Sequence, residues 1–512
     1  MKKNVNFNFF ILALWVLSLF TGGCLKLRYP AEPPPPEYMD MRDTYDYVEV
    51  EPIKEPVATF MLDGKPYCFA GTNNYYLNFK SDVMIDDVLD KAVEMNLGVI
   101  RFWGYLDRGS LDGSVAAVDP WPPGDGTKEG FYLQYWDPET QTAKYNDGPF
   151  GFEKIDYLIH GARERGLKLV YVLTNNWHEF GGMDQYLTWY GLTDHYQFFT
   201  DERVKDTFKK WIYHVLHRVN SIDGVVYKDD PAIFAWELGN ELRCMNGSDF
   251  DNHEGWDTTT MVRWTEEMSA YIKSLDSNHM VAFGDEGFIN GDFSHWAYSA
   301  QDGVDHEALC AVKDIDYCTF HLYPDNWGTG LRFTHRWIEE HMEIAHRLGK
   351  PTVLEEYGTM VKRDKEDMKE IKWGWERRRM AYENWLGMFR NLGGHGAMNW
   401  MLAGYDDYLK ALYPDYDGYT VYKDFPTGDL IVKHANEMSD NAPACIMAES
   451  YLPDDVEKSP FVSVYSPRNL PAPAAETTNS TDSNSENATE ASNKTEPSVD
   501  AGVAKKEQSD AE

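Results

Sequence analysis

Short apolar runs alternate with longer amphipathic stretches from about residue 58 to residue 435, and this alternation constrains the fold more than any other feature. Apolar runs bounded by turn residues are typical of buried strands, whereas apolar positions three and four residues apart indicate helices. We predict strands at Tyr67–Gly71, Val99–Trp103, Lys168–Leu173, Ile233–Leu238, Val281–Gly284, Tyr317–His321, Thr352–Glu355 and Ala397–Met401. We predict helices at Ile85–Met95, Phe152–Arg165, Glu202–Asn220, Thr258–Leu275, Leu331–Leu348 and Asp367–Leu392. This order favours an α/β fold, a (β/α)8 TIM barrel with long βα loops.

A doubly wound open sheet is the alternative architecture for alternating strands and helices. Such a sheet usually carries a glycine-rich phosphate loop after its first strand. Here the first strand runs into Gly71-Thr72-Asn73-Asn74-Tyr75-Tyr76, which is not a loop of that kind. The barrel is therefore the preferred prediction.

The charge balance excludes one large class of function. The chain has 48 Lys and Arg against 84 Asp and Glu, a formal net charge of −36. A field of this sign repels nucleic acid, so we expect no nucleic-acid partner.

No CxxC or zinc-type cluster occurs, and we expect neither a metal nor a cofactor. The 14% of aromatic residues suits sugar binding, although a large aromatic core explains it more simply.

The two ends of the chain differ from its middle. Met1-Lys2-Lys3 and the apolar run Phe9–Phe20 predict a signal peptide over residues 1–23. Thr21-Gly22-Gly23-Cys24 resembles a prokaryotic lipobox, although Thr21 stands where Leu is usual. We expect lipid on Cys24, the alternative being an ordinary secretory signal that is cleaved nearby.

Composition sets the remaining domain boundaries. We predict a proline-rich spacer over 24–50, a catalytic domain over 51–440, an extension over 441–470 and a disordered tail over 471–512. The tail is rich in Ser, Thr, Asn and Glu and cannot bury enough apolar surface to fold. Export makes disulfides plausible, with Cys310 and Cys318 the closest pair in sequence, although free buried thiols fit equally well.

Polar and aromatic residues follow several predicted strands, at the face of a barrel where active sites lie. The fourth strand runs into Asn240-Glu241, and the seventh carries Glu356 before Tyr357-Gly358. Cleavage of a glycosidic bond requires two carboxyl groups, one to protonate the leaving oxygen and one to attack the anomeric carbon or to activate water. The carboxyl groups at these two strand ends fit these two roles.

Longer sequence blocks then narrow the interpretation. The chain resembles glycoside hydrolase family 5 endo-β-1,4-mannanases of the fungal and plant type over most of residues 58–435. The blocks that carry the resemblance are Asn175–Trp177, Phe180–Tyr186, Arg218–Asn220, Asp229–Leu238, Asn240–Glu241, Gly284–Phe288, Phe320–Pro324, Lys350–Pro351, Glu355–Gly358 and Tyr413–Tyr419. The family usually has Pro where this chain has Leu242, which puts the placement of Arg243 in doubt.

The resemblance implies that Glu241 is the general acid/base and Glu356 the nucleophile. It implies substrate-binding roles for Arg101, Trp103, Asn176, Asn240, Arg243, His321, Tyr323 and Trp400. Because neighbouring strand residues face opposite sides, we expect Glu355 to point away from the site. We expect the two carboxyl groups to lie ~5–5.5 Å apart, as double displacement requires. We also expect the ionised Glu356 to raise the pKa of Glu241.

The expected function is that of a retaining endo-β-1,4-mannanase whose partner is β-mannan polysaccharide. The alternatives are a β-1,4-glucanase of the same family and a barrel that binds polysaccharide without cleaving it. We expect an extracellular or cell-surface monomer that meets the membrane only through a lipid anchor on Cys24.

Overall fold

Eight parallel strands form the centre of the fold, with helices around them. The structure is a computed structural model that describes residues 58–63, 65–119, 130–245, 255–361 and 374–440. The predicted signal peptide, Cys24, the spacer and everything after residue 440 lie outside these ranges. The chain divides into two units, Met1–Val456 and Glu457–Glu512, and the second unit falls wholly outside the described residues.

The barrel strands, numbered one to eight along the chain, are Phe69–Asn74, Val99–Trp103, Lys168–Val172, Ile233–Glu237, Met280–Ala282, Cys318–Leu322, Thr352–Tyr357 and Gly396–Asn399. Their order in the sheet is five, four, three, two, one, eight, seven, six. Backbone hydrogen bonds from Asp316 to Val281 (2.9 Å) and from His321 to Glu286 (3.1 Å) bridge the gap between strands five and six. The predicted (β/α)8 barrel is confirmed.

The helices are Asp82–Glu94, Phe152–Glu164, Gly182–Trp189, Gln197–Thr200, Glu202–Leu216, Thr258–Leu275, His306–Ala311, Leu331–Leu348, Trp375–Asn391 and Pro426–Asp440. The helix Glu202–Leu216 shows why such segments become the outer layer. The Asp201 side chain accepts a hydrogen bond from the backbone N–H of Arg203 and caps the first turn. Its buried face carries Phe208, Trp211 and Ile212, so one side packs on the barrel while the other faces water.

A small sheet after strand two was not predicted. Its strands are Asp107–Ser110, Gln134–Asp137 and Thr142–Tyr145. The Gln134 amide donates to the Asp107 carboxylate (2.8 Å) and to the Tyr186 hydroxyl (2.7 Å), which ties the sheet to the helix Gly182–Trp189. The Gly, Pro and Asp content of the loop hid the sheet, because those residues ordinarily indicate turns.

Cys310 and Cys318 do not form the disulfide that the sequence made plausible. Cys310 and Cys318, the closest pair in sequence, are free thiols, and so is Cys244. All three are buried, whereas Cys68 is disulfide-bonded.

Among the described residues, the structure contains no helix that is both long enough and apolar enough to span a membrane.

Candidate active site

Two carboxyl groups face each other at the carboxyl end of the barrel. Glu241 follows strand four, and Glu356 lies near the end of strand seven. One oxygen of each carboxylate and one ring nitrogen of His321 all lie within 4.8 Å of one another. Retaining glycosidases need carboxyl groups about 5–5.5 Å apart, whereas inverting enzymes leave about 6.5–9.5 Å for a water molecule. The spacing fits direct attack by one carboxylate.

Glu241 is held from three directions. Its backbone has φ 55°, a left-handed conformation that is uncommon outside glycine, and its N–H donates to the carbonyl of Gly284 (2.7 Å). His321 Nδ1 donates to Glu241 Oε1 at 2.7 Å. The indole N–H of Trp177 donates to Oε2 at 2.6 Å. Both oxygens are therefore fixed before any sugar arrives.

Glu356 is held by donors that favour its ionised form. Arg101 Nη1 donates to Oε1 at 2.5 Å, and the Tyr323 hydroxyl donates to Oε2 at 2.7 Å. Charge-assisted bonds of this kind stabilise a carboxylate and fix its direction. Burial raises the pKa of Glu356, while the positive charges of His321 and Arg101 oppose that rise.

Arg101 is the centre of the site. Its guanidinium is completely buried and forms a two-point bond with Glu237, at 2.7 and 2.6 Å. It also donates to the side-chain oxygens of Asn73 (3.1 Å) and Asn240 (2.8 Å). Together with the bond to Glu356, these contacts join strands one, two, four and seven through one cation. The planar fork of arginine allows this, because its five N–H groups point in fixed directions.

The expectation that Glu355 points away from the site is wrong. Its carboxylate lies 3.7 Å from Arg101 Nε and 3.6 Å from His321 Nε2. The register between strands six and seven shifts, so that Phe320 pairs with Leu354 and His321 pairs with Glu356. A bulge of this kind inserts one residue and breaks the alternation of faces. Glu355 and Glu356 therefore both contact Arg101.

The expectation of a raised pKa at Glu241 is also wrong for the ligand-free site. Burial raises this pKa, but the hydrogen bond and charge of His321, with the Trp177 bond, outweigh burial and lower it to about 2. Burial alone would lower the pKa of His321, yet the charge of Glu356 and the bond to Glu241 hold it well above its ordinary value. These two directions favour the proton on His321, whose Nδ1 lies 2.7 Å from Glu241 Oε1. Groups this close titrate together.

Arg243 is fixed despite Leu242 in place of the family's Pro. Its guanidinium pairs with Glu286 and donates to Asp302 at 3.2 Å. Its charge also lies over the ring of Trp177, 4.9 Å from the centroid. Leu242 is completely buried. Arg243 therefore supports the indole that donates to Glu241.

Two asparagines lie close to the carboxylates, both held by hydrogen bonds to neighbouring side chains. The Asn240 oxygen accepts from Arg101, and its amide donates to the side-chain oxygen of Asn175 at 3.0 Å. Asn176 is fully buried, and its oxygen accepts from His195 Nε2 (3.0 Å) and from the backbone N–H of Arg243 (3.1 Å). Asn176 is thus more completely buried than either carboxylate.

Aromatic rings line one side of the site. Trp400 follows strand eight, and its ring centroid lies 5.5 Å from that of Trp103. Its other neighbour is Tyr75, which stacks at 6.1 Å with an interplanar angle of 22°. The Trp400 indole N–H donates to the Asp417 carboxylate at 2.9 Å. Trp400 is partly exposed, so part of its surface is open to a sugar.

The sequence analysis assigned no role to three residues of this arrangement. Asn73 and Tyr75 come at and just after the end of strand one, and Trp177 stands in the loop after strand three. The first two carried a usable signal, because polar and aromatic residues at a strand end of a barrel face the site. Trp177 lies in the block Asn175–Trp177 that carries the family resemblance, but its residue type alone assigns it no role, since a lone Trp packs in a core as readily as it binds.

Glu241, His321 and Glu356 also form the sole group of potential metal-binding side chains among the described residues. Each carboxylate oxygen there already accepts an N–H or O–H, from His321, Trp177, Arg101 or Tyr323. A cation would have to displace these donors. The arrangement suits proton transfer and nucleophilic attack.

Comparison with known proteins gives a consistent picture. Residues 48–404 match a family described as GH family 5 beta-mannosidase-like. The chain is 37% identical over 311 residues to mannan endo-1,4-beta-mannosidase F of Aspergillus fumigatus, covering 60% of this chain and 64% of that protein. It is 31% identical over 364 residues to mannan endo-1,4-beta-mannosidase A of Podospora anserina, covering 71% of this chain and 84% of that protein. It thus spans less than two thirds of the length of the Aspergillus relative.

Solved structures of two mannanases resemble this chain in both fold and sequence. The hyperthermostable endo-1,4-beta-D-mannanase from Thermotoga petrophila RKU-1 has a TM-score of 0.61 and 39% identity, covering 72% of this chain and all of that one (100%). The endo-1,4-beta-mannanase from Rhizomucor miehei has a TM-score of 0.65 and 33% identity, covering 76% of this chain and 100% of that one.

Proposed function

The chain belongs to the GH family 5 beta-mannosidase-like family, and we propose that it is a retaining endo-β-1,4-mannanase. It would cleave internal bonds of mannan, glucomannan or galactomannan. The observation that carries the proposal is the short spacing between Glu241 and Glu356, whose four oxygens are each met by a donor. The names of the mannanases that it resembles support the choice of substrate.

In the first step Glu356 attacks the anomeric carbon with an oxygen lone pair. The bond from that carbon to the leaving oxygen breaks, and Glu241 gives this oxygen a proton. A glycosyl-enzyme ester forms on Glu356, and the shortened chain departs as an alcohol. Arg101 and Tyr323 keep Glu356 ionised and aimed until the bond forms.

The second step reverses the roles. Glu241, now a carboxylate, takes a proton from water while the water oxygen attacks the anomeric carbon. The ester bond breaks, Glu356 recovers its lone pair, and the anomeric configuration of the substrate is retained.

His321 connects these steps. The proton that rests on His321 moves along the 2.7 Å hydrogen bond to Glu241 as the leaving oxygen gains charge. Binding of sugar removes water from the pair and favours the neutral form, in which Glu241 carries the proton and His321 does not. The imidazole thus stores the proton that the acid/base donates.

The remaining proposed roles concern binding. Asn240 holds the 2-hydroxyl of the sugar being cleaved, and His321 and Tyr323 line the same subsite. Trp400 provides the flat platform beneath this sugar, because its exposed face meets the apolar face of a pyranose. Trp103, Arg243 and Asn176 contact or support flanking subsites.

A β-1,4-glucanase of the same family is the nearest alternative, since glucose and mannose differ only at the 2-hydroxyl. A barrel that binds without cleaving is less well supported, because both carboxyl groups are present and held by donors. The test is release of reducing ends from linear mannan, galactomannan, carboxymethyl-cellulose and xylan by the full chain. Glu356→Gln serves as the matched variant, because it keeps the size of the side chain and removes the nucleophile.

We expect release from the mannans that disappears in Glu356→Gln. Release from carboxymethyl-cellulose alone would keep the mechanism and overturn the substrate. A folded protein that releases nothing yet is retained on mannan would support the binding-only alternative.

We further propose that the chain acts outside the cell, as a monomer, and is anchored by lipid on Cys24. The apolar run Phe9–Phe20 and the small residues before Cys24 support export and acylation. Residues 24–50 would act as a spacer, 51–440 as the catalytic domain and 471–512 as a disordered tail. Incorporation of labelled palmitate in a bacterial host, compared with Cys24→Ala, tests the anchor; equal labelling of both would refute it.

A further inference from the structure

Glu355 and His321 present polar atoms to each other in the buried part of the site. The carboxylate of Glu355 lies 3.6 Å from His321 Nε2 and 3.7 Å from Arg101 Nε, and all three side chains are completely buried. Within the described part of the chain, both oxygens of Glu355 and Nε2 of His321 lack a hydrogen-bond partner. Because a buried polar group without a partner costs free energy, this arrangement needs an explanation other than packing.

Arg101 cannot satisfy the carboxylate of Glu355. A guanidinium has five N–H groups, and each of those on Arg101 already points to another oxygen. These oxygens belong to Glu237, which accepts two of the bonds, and to Asn73, Asn240 and Glu356. Arg101 and His321 are the two basic side chains that the described structure places beside Glu355. Of these two, His321 is the one with an N–H to offer, at Nε2.

The two ring nitrogens of His321 meet different carboxylates. Nδ1 lies 2.7 Å from Glu241 Oε1, whereas Nε2 faces Glu355 at 3.6 Å. A charged imidazole has a proton on each nitrogen, and a neutral one keeps only one of them. If His321 passes its Nδ1 proton to Glu241, as in the proposed mechanism, the proton that stays is on Nε2, beside a carboxylate that favours it. Glu355 thus provides the acceptor that the remaining N–H needs.

The other acidic side chains that influence His321 have donors of their own. Glu241 and Glu356 lie 2.7 and 3.8 Å from its Nδ1, and Glu237 and Glu286 interact with its charge. Their donors are Trp177 for Glu241, Arg101 and Tyr323 for Glu356, Arg101 for Glu237 and Arg243 for Glu286. Burial alone would lower the pKa of His321, yet the neighbouring carboxylates hold it well above its ordinary value. Glu355 is the carboxylate of this group that acts on Nε2.

We propose that Glu355 is a positioning residue that keeps the Nε2 proton on His321, so that the proton donated by Glu241 comes from Nδ1. The inference rests on the proposed function and adds the group that directs its proton. One N–H bond breaks at Nδ1 as one O–H bond forms on Glu241, while Nε2 keeps its hydrogen. Because Glu355 is completely buried, it acts through His321 and not on the sugar. The register shift between strands six and seven brings Glu355 into this position.

The test separates the charge of Glu355 from its place in the fold. In the full chain, Glu355→Gln keeps the size of the side chain and removes the charge, whereas the matched control Glu355→Asp keeps the charge on the same strand. The first measurement is the pH dependence of kcat/KM on mannohexaose. Glu355→Gln should move the basic limb about one pKa unit to lower pH, because a charge within about 4–6 Å shifts a pKa by about 1–3 units. Glu355→Asp should keep the basic limb of the wild type.

A second substrate shows whether proton donation is the step affected. Above the basic limbs of both proteins, kcat/KM of Glu355→Gln on mannohexaose should be about tenfold lower than that of the wild type. An aryl β-mannobioside with a good leaving group needs little proton donation, so its kcat/KM should change little.

The second measurement needs no substrate. ¹⁵N NMR of histidine-labelled protein follows the protonation of His321, whose signals are assigned by their loss in His321→Gln. Wild-type His321 should carry both protons at neutral pH, and Glu355→Gln should lower its titration midpoint by about one pKa unit. Glu355→Asp should leave this midpoint in place.

Three results would overturn the inference. A neutral ring of wild-type His321 at neutral pH would show that no proton is held there, and this result requires no variant to fold. An unmoved midpoint and basic limb in Glu355→Gln would show that the charge has no effect. An equal loss of kcat/KM on both substrates, without a shift of the limb, would show a structural role alone. If the wild type cleaves no mannan, the proposed function fails, and the NMR titration still decides whether Glu355 holds the proton of His321.

Discussion

Replacing Tyr323 by Phe removes one defined interaction from the proposed nucleophile. The Tyr323 hydroxyl donates to Glu356 Oε2 at 2.7 Å, and both side chains are buried. The ring itself packs on Tyr419, with centroids 5.4 Å apart, so the substitution should leave the packing intact. The change therefore isolates a single hydrogen bond to a charged group.

The magnitude follows from the kind of bond. A hydrogen bond to a charged group contributes about 1.5–3 kcal/mol. The Tyr323 bond favours the ionised form and lowers the pKa of Glu356, so its loss raises that pKa. Since one pKa unit corresponds to about 1.4 kcal/mol, we expect a rise of roughly one to two units. In the proposed mechanism the active form of Glu356 is the carboxylate, so the acidic limb of the pH profile should move to higher pH.

The assay is the pH dependence of kcat/KM on mannohexaose, from below the acidic limb to above neutrality. At a pH below the acidic limbs of both proteins, kcat/KM of Tyr323→Phe should be about 10- to 100-fold lower than that of the wild type. This difference in kcat/KM should narrow as the pH rises. Tyr419→Phe is the control, because it also removes one tyrosine hydroxyl beside the site. That hydroxyl donates to Asn326 at 2.8 Å and not to Glu356. An acidic limb that stays at its wild-type position in Tyr323→Phe would refute the reasoning.

Three further substitutions test the rest of the site. His321→Gln should shift the basic limb of kcat/KM to lower pH, because the proton is then held by a carboxyl group alone; a pH profile with an unmoved basic limb would contradict this. Glu241→Ala should lose at least about 100-fold in kcat/KM on mannan yet keep most of kcat/KM for an aryl mannobioside with a good leaving group, because that constant reports the first step; kcat should fall on both substrates, and steady-state kinetics would show this. Arg101→Lys should lower both kcat and the melting temperature, since lysine cannot form the two-point bond with Glu237 while also reaching Glu356. Kinetics measures the first quantity and calorimetry the second, and a decrease in only one of them would contradict the prediction that Arg101 serves both activity and stability.

The sequence predicted those parts of the molecule that depend on local pattern. The alternation of short apolar runs and amphipathic stretches placed all eight barrel strands, and Val99–Trp103 and Thr258–Leu275 have the predicted bounds. Strand ends such as Asn240-Glu241 also pointed to the carboxyl face, because polar residues in a barrel collect there.

Features that depend on contacts between distant segments could not be predicted. The bulge beside Glu355 arises from the register of strands six and seven, which no single strand encodes. The lowered pKa of Glu241 depends on His321 Nδ1, 80 residues away along the chain. The sheet that includes Asp107–Ser110 forms from short segments held by Gln134, and its turn-rich sequence gave no strand pattern.

In the proposed mechanism, the guanidinium of Arg101 would make catalysis and folding a single cooperative property. Four strands meet at one buried cation, so the carboxylate of Glu356, the proposed nucleophile, cannot shift unless the barrel itself opens. Heat should therefore abolish activity at the temperature at which the tertiary structure melts, without an earlier phase of folded but inactive enzyme. Adaptation of such an enzyme to cold would have to loosen its outer loops, because softening the centre would cost the fold as well as the rate.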